Sequence, residues 1–202
     1  MILRVSVILV PVLAAGCWSP SLAPRDPLPL AVDSYSLAVA SAREGDLEEA
    51  ERLAKTALQQ DPLHVDAHLL VANLFAKRGE TDLAIVGFQR VLSLSESHPE
   101  ALYNLGTLLL QRDEPEAAAE ILETSTAVRP NHVPGLNNLG YAYFASGLAE
   151  LAGAAFEEAL LLDPDNEVAL KNLAVLADAA GDSEAANGYR ERLRTRGGDP
   201  IR

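Results

Sequence analysis

The chain has a single cysteine, Cys17, in 202 residues. No intrachain disulfide can form, so packing alone must hold the fold. Aromatic residues make up only 5% of the sequence, which argues against a core filled by bulky rings. Basic residues are also scarce: 16 Lys and Arg face 29 Asp and Glu, for a net charge of −13. Such a surface repels phosphate and disfavours nucleic acid as a partner. No glycine-rich phosphate loop and no Ser/His/Asp or Cys/His set spaced for nucleophilic catalysis is present. The sequence therefore reads as non-enzymatic, with no catalytic residue, metal or bound cofactor expected. The apolar run Val5–Ala15 is too short to cross a bilayer as a helix, which takes roughly 20 residues.

What the sequence does have is a period. In Val133–Asn166, Leu136, Leu139, Gly140 and Tyr143 fall at i, i+3, i+4 and i+7. Ala152, Ala155, Phe156 and Ala159 repeat the pattern after a break at Ser146-Gly147. Each set makes one apolar stripe on a helix of roughly 12–14 residues. Gly147 suits the left-handed turn that ends the first helix, and Asp163-Pro164 stops the second. Gly140 and Ala152 supply small residues where the two helices must come close. A single hairpin of this size cannot bury its own apolar face.

Shifting by 34 residues recovers the neighbours. Gly147 maps onto Gly45, Gly79 and Gly181, with Asp113 breaking the column. Ala152 maps onto Ala50, Ala84, Ala118 and Ala186. Asn104-Leu105-Gly106 recurs as Asn138-Leu139-Gly140 and, altered, as Asn172-Leu173-Ala174. The units run 31–64, 65–98, 99–132, 133–166 and 167–200. This pattern resembles the tetratricopeptide repeat family. The resemblance implies an all-α, right-handed α-solenoid of about five tandem helical hairpins, stabilised by nearest-neighbour stacking. The first unit has Ser34 and Ser41 where large residues are usual, so it should be the most loosely packed.

Ahead of the repeats, residues 1–16 resemble a lipoprotein signal peptide. Arg4 gives the positive start, and Leu13-Ala14-Ala15-Gly16-Cys17 resembles a bacterial lipobox, with Ala14 where leucine is more usual. The resemblance implies cleavage before Cys17 and a covalent lipid on its sulfur. Trp18 rather than Asp after the cysteine implies an outer-membrane address facing the periplasm of a bacterial envelope. An ordinary signal-peptidase site at Ala14-Ala15-Gly16, releasing a soluble protein, is the competing reading. Residues 17–30 contain Pro20, Pro24, Pro27 and Pro29. They make an extended tether of up to roughly 40 Å at about 3.1 Å per residue.

In tetratricopeptide folds the first helix of each pair lines a concave groove, so the resemblance points to first-helix residues outside the packing stripe. The candidates are Asn73, Tyr103, Asn104, Asn137, Asn138, Tyr141, Lys171 and Asn172. Asn104, Asn138 and Asn172 form a 34-residue ladder of amides, which offer donors and an acceptor to the main chain of an extended peptide. The same asparagines are also suited to bonding between helices. Glu100, Leu70 and Tyr35 stand where chaperone-binding relatives carry basic clamp residues, which disfavours an acidic chaperone tail.

The partners implied are a protein or extended peptide in the groove and a membrane through the lipid. A second copy of the chain is another admissible occupant. The architecture resembles the repeat-built pilotin lipoproteins of type IV pilus secretins. An adaptor for peptidoglycan hydrolases or synthases is the alternative. His64, His98 and His132 share a column between units and read as loop surface, not as metal ligands. Arg190, Arg192, Arg194 and Arg196 make the last helix basic, as an end cap or as a docking end.

Overall fold

Ten helices, among the residues described, follow one another in the computed structural model, which describes residues 33–197. They are α1 (Ser34–Glu44), α2 (Leu47–Gln60), α3 (Val65–Lys77), α4 (Thr81–Leu94) and α5 (Pro99–Gln111). The second half comprises α6 (Pro115–Val128), α7 (Val133–Ala145), α8 (Ala149–Leu162), α9 (Glu167–Ala179) and α10 (Ser183–Gly197). From α3 onward the odd helices start 34 residues apart, at Val65, Pro99, Val133 and Glu167. The leader, Cys17 and the proline-rich tether lie outside the described residues. No described helix is long and apolar enough to cross a membrane.

The turns inside each hairpin explain the glycine column. Gly45, Gly79, Gly147 and Gly181 all have φ between 76° and 89°. Asp113, which interrupts the column in sequence, keeps the conformation at φ 61°. The backbone shape is conserved across the repeats, and an aspartate tolerates it better than most side chains.

Each helix packs on its sequence neighbours, and hairpins stack in series. Successive odd helices also touch, as in α1 with α3, α5 with α7 and α7 with α9. No comparable contact joins successive even helices among the described residues. The odd helices therefore form the closely spaced face.

The core combines a line of small residues with leucines of the odd helices and, in the three middle hairpins, one large side chain at a fixed position of the even helix. Phe88, Leu122 and Phe156 share a column on the even helices and are all but fully buried. Each contributes on the order of 2–3 kcal/mol through burial. Close approach of the paired helix is what buries them. A Cβ on Gly140 would lie 2.5 Å from Cε1 of Phe156, and one on Gly106 2.5 Å from Cγ of Leu122. At the ends the line thins. Ala38 is the buried residue of α1, and Ala186 that of α10 among its described side chains.

Arg190, Arg192 and Arg194 are engaged within the fold. Arg190 pairs with Asp178, Arg192 donates to the Pro164 carbonyl at 2.6 Å, and Arg194 pairs with Glu191 at 2.7 Å. These contacts match the end-cap reading.

Candidate functional site on the odd-helix face

Two fixed offsets govern contacts between successive odd helices. The first is 31 residues. Asn104 on α5 donates its amide to Oδ1 of Asn73 on α3 at 3.0 Å. Asn138 on α7 does the same to the hydroxyl of Thr107 on α5 at 2.9 Å. Asn73 in turn donates to Glu100 at 2.8 Å. Two rungs of the ladder thus tie neighbouring repeats together. In the third rung the acceptor position is Tyr141, and Asn172 has no hydrogen-bond partner among the described residues.

The second offset is 29 residues and joins α1, α5 and α7 to the cap of the next odd helix. Tyr35 packs on His64 and Tyr103 on His132, with ring centroids 4.7 Å apart in both pairs. At the next step Asn137 donates to Oδ1 of Asn166 at 3.0 Å. Asn137 is only 6% exposed, so it serves the junction and offers no surface to a guest. Tyr103 is half-buried by its ring contact. Lys171 pairs with Glu167 one turn earlier on α9.

Sequence reasoning missed the role of the histidines. His64 and His98 cap α3 and α5, each accepting at Nδ1 from the amide three residues on, at 3.3 Å. Asn166 caps α9 in the same way at 3.0 Å. The available signal was that His64, His98 and His132 stand directly before periodic helices, in the column that Asn166 fills with a preferred capping residue. His132 makes no cap bond, and its buried Nδ1 is unpartnered. Burial, with Arg129 nearby, holds its pKa below the usual histidine value. No group of three His, Cys, Asp or Glu among the described residues is placed to hold a metal ion.

From α3 onward, the exposed large apolar side chains of the odd helices lie at α7 and α9. Tyr141 is 50% exposed. Val168 and Val175 are similarly exposed. Val168, Lys171, Asn172 and Val175 fall at i, i+3, i+4 and i+7, hence on one side of α9. Val168 was not among the sequence candidates.

The column containing Val168 runs Asp66, Glu100, Pro134, Val168. The face therefore passes from acidic near α3 and α5 to apolar near α9. Tyr35 registers the acidic end: burial first, then Asp66, Glu100 and Asp33, raise its pKa above the usual tyrosine value. An unpaired amide beside apolar area, continuous with a carboxylate-lined stretch, can hold an extended chain by its backbone and attract its basic residues.

Three sequence models, each described as tetratricopeptide repeat, match residues 35–99, 76–139 and 133–166. No curated protein matches the sequence significantly. Among solved structures, a crystal structure of MamA is 24% identical over 77% of this chain and 91% of its own, with a TM-score of 0.73. MamA from Desulfovibrio magneticus RS-1 is 23% identical over 80% of this chain and 92% of its own, with a TM-score of 0.76. YrrB, described as a repeat protein of the same kind with an unusual peptide-binding site, is 20% identical over 79% and 82%, with a TM-score of 0.73. At these identities the likeness concerns the fold.

Proposed function

Since the chain belongs to the tetratricopeptide repeat family, a family of protein-interaction scaffolds, we propose that it is a non-catalytic scaffold whose odd-helix face holds an extended polypeptide. The observation that carries this reading is the unpaired Asn172 amide beside half-exposed Tyr141, Val168 and Val175. Asn104 and Asn138 have their donors engaged by the preceding helix. The guest is therefore expected to sit chiefly on α7 and α9, with its basic residues directed towards Asp66 and Glu100.

We further propose that a lipid on Cys17 and the proline-rich tether fix the scaffold to the periplasmic side of an outer membrane. Its guest there is a component of a secretin or type IV pilus assembly. An adaptor for cell-wall hydrolases or synthases is the alternative.

Photo-crosslinking in cells tests both levels. Benzoylphenylalanine at Val175 should trap a partner, and the identity of that partner separates a secretin from a cell-wall enzyme. The same probe at Leu161, 83% exposed on α8, should trap none. Equal trapping from both positions would overturn the odd-face site. The Cys17→Ser variant should leave the membrane fraction; retention there to the same extent would overturn the anchor.

A further inference from the structure

A second surface, away from the odd-helix face, lies where α8 begins and α9 ends. It is a cleft of about 570 Å³ lined by Phe144, Glu150, Gly153, Glu157, Leu176 and Ala180, among others. The internal repeats identify what belongs in it. Ala180 ends α9 in the column occupied by Arg78 after α3 and Arg112 after α5.

Both arginines reach back over the preceding even helix. Arg78 pairs with Glu51 and donates to the Leu47 carbonyl at 2.8 Å. Arg112 bonds Asp82 at 2.9 Å and Glu114 at 2.8 Å. The 34-residue period carries Leu47 to Ala149, Glu51 to Gly153 and Asp82 to Glu150. All three counterparts line the cleft.

The cleft is thus the arginine position of the first two junctions without its arginine; at the third junction the column holds Ser146. Glu150, the counterpart of Asp82, and Glu157 have no ion-pair or hydrogen-bond partner among the described residues. Gly153 deepens the floor, since it has no side chain where Glu51 and Ile85 stand earlier. Leu176 and Phe144 supply apolar walls for an aliphatic stem.

We infer that the α8–α9 cleft is a docking socket for an arginine side chain of a basic partner protein. The stem lies on Phe144 and Leu176, and the guanidinium takes the place of Arg112 against Glu150 and Glu157. A planar, always-charged fork with a long apolar stem fits such a site better than a lysine ammonium. The net charge of −13 favours the encounter. This goes beyond the odd-face reading and is independent of it.

The test is fluorescence anisotropy with a labelled peptide, Gly-Ala-Ala-Arg-Ala-Ala-Gly, and full-length protein. Citrulline in place of arginine keeps the shape and removes the charge. The arginine peptide should bind, and the citrulline peptide should bind at least tenfold more weakly. Glu150→Gln and Glu157→Gln should each weaken binding by about two- to fivefold, as exposed ion pairs do.

Ala180→Arg should abolish binding, because it fills the socket from within at a position where two other repeats already carry arginine. Circular dichroism of that variant should be unchanged. Asn172→Ala should bind the arginine peptide as the parent does, which separates this socket from the odd face. Equal binding of the citrulline peptide, undiminished binding by Ala180→Arg, or no binding up to millimolar peptide would each overturn the inference.

Discussion

Gly140→Ala should destabilise the protein, although alanine is the better helix former. The substitution sits in the interior of α7, where replacing glycine gains about 1 kcal/mol of helix propensity. Against that stands Phe156. An added Cβ would lie 2.5, 2.7 and 2.8 Å from Cε1, Cδ1 and Cζ of its ring. Ordinary carbon contacts are about 3.5–4 Å, so ring or helix must move by about 1 Å. Phe156 is 1% exposed and a phenyl ring cannot shorten, so the ring has no free volume to enter.

Overpacking costs about 1–3 kcal/mol, and a rigid buried ring belongs at the upper end. The net effect is a loss of about 2 kcal/mol, or about 4–8 °C in Tm for a chain of this size. Because stacked repeats unfold from local weak points, hydrogen exchange should rise first in α7 and α8.

The other repeats act as controls. In the second, the column residue is Ala72, and the concession passes to Gly87, where a Cβ would be 2.7 Å from that of Ala72. One helix or the other lacks a Cβ wherever the even helix carries Phe88, Leu122 or Phe156. In the first repeat, Ala38 faces Ala54 in that column and neither needs to give way. Gly106→Ala should cost less than Gly140→Ala, because the branched Leu122 can change rotamer. Phe156→Leu should rescue Gly140→Ala, so that the double variant loses less than the sum of the singles in urea denaturation. A Gly140→Ala protein as stable as the parent, or an additive cycle, would refute the claim that this contact limits helix approach.

Three more perturbations have definite outcomes. His132 is neutral in the fold because burial lowers its pKa from the usual 6.5; its contribution to stability is complete above pH 6.5 and is lost as pH falls through the lower folded value. His132→Asn should flatten that acid limb in thermal melts and, by capping α7 as Asn166 caps α9, add about 1 kcal/mol. Asp113→Gly should raise stability by about 0.5–1 kcal/mol by relieving its left-handed φ, read as a higher urea midpoint at unchanged m-value. Tyr141→Thr should give Asn172 the acceptor that Thr107 gives Asn138; the junction should gain about 1 kcal/mol while crosslinking from Val175 falls.

Much of the fold was legible because it is written five times. Ala50, Ala84, Ala118, Ala152 and Ala186 mark one side of each hairpin contact, and the turn glycines mark the bend. Asp113 looked like an interruption because residue type was visible and φ was not. The candidate site was less legible for a geometric reason. Asn104, Asn138 and Asn172 are identical by periodicity, yet their roles differ through the residue 31 positions earlier on the neighbouring helix. That offset depends on how one hairpin settles on the next, which no pattern within a hairpin encodes. Asn137, beside Asn138 in the chain, proved to belong to the 29-residue offset and to the core. The histidine caps escaped notice because histidine is not a usual capping residue, although Asn166 in the same column is.

The two offsets suggest why open surface collects in the last two repeats. A stack of helical pairs is held by contacts between neighbours, and polar groups at the junctions can either bond across them or remain available. At the first three junctions they bond across: Arg78 to Glu51 at the first, Arg112 to Asp82 and Asn104 to Asn73 at the second, and Asn138 to Thr107 at the third. At the fourth junction neither column bonds across, the arginine column having already passed to Ser146 at the third. Tyr141 replaces the acceptor that Asn172 would need, and Ala180 replaces the arginine that Glu150 would need. Neither change is required by the apolar packing, since Leu170, Leu173 and Ala174 are buried there as their counterparts are elsewhere. Two independent columns thus leave a donor on one face and a carboxylate on another, at one junction. The fourth junction has neither of the cross-links that the first three use, and two separate surfaces of the same hairpin pair are left open.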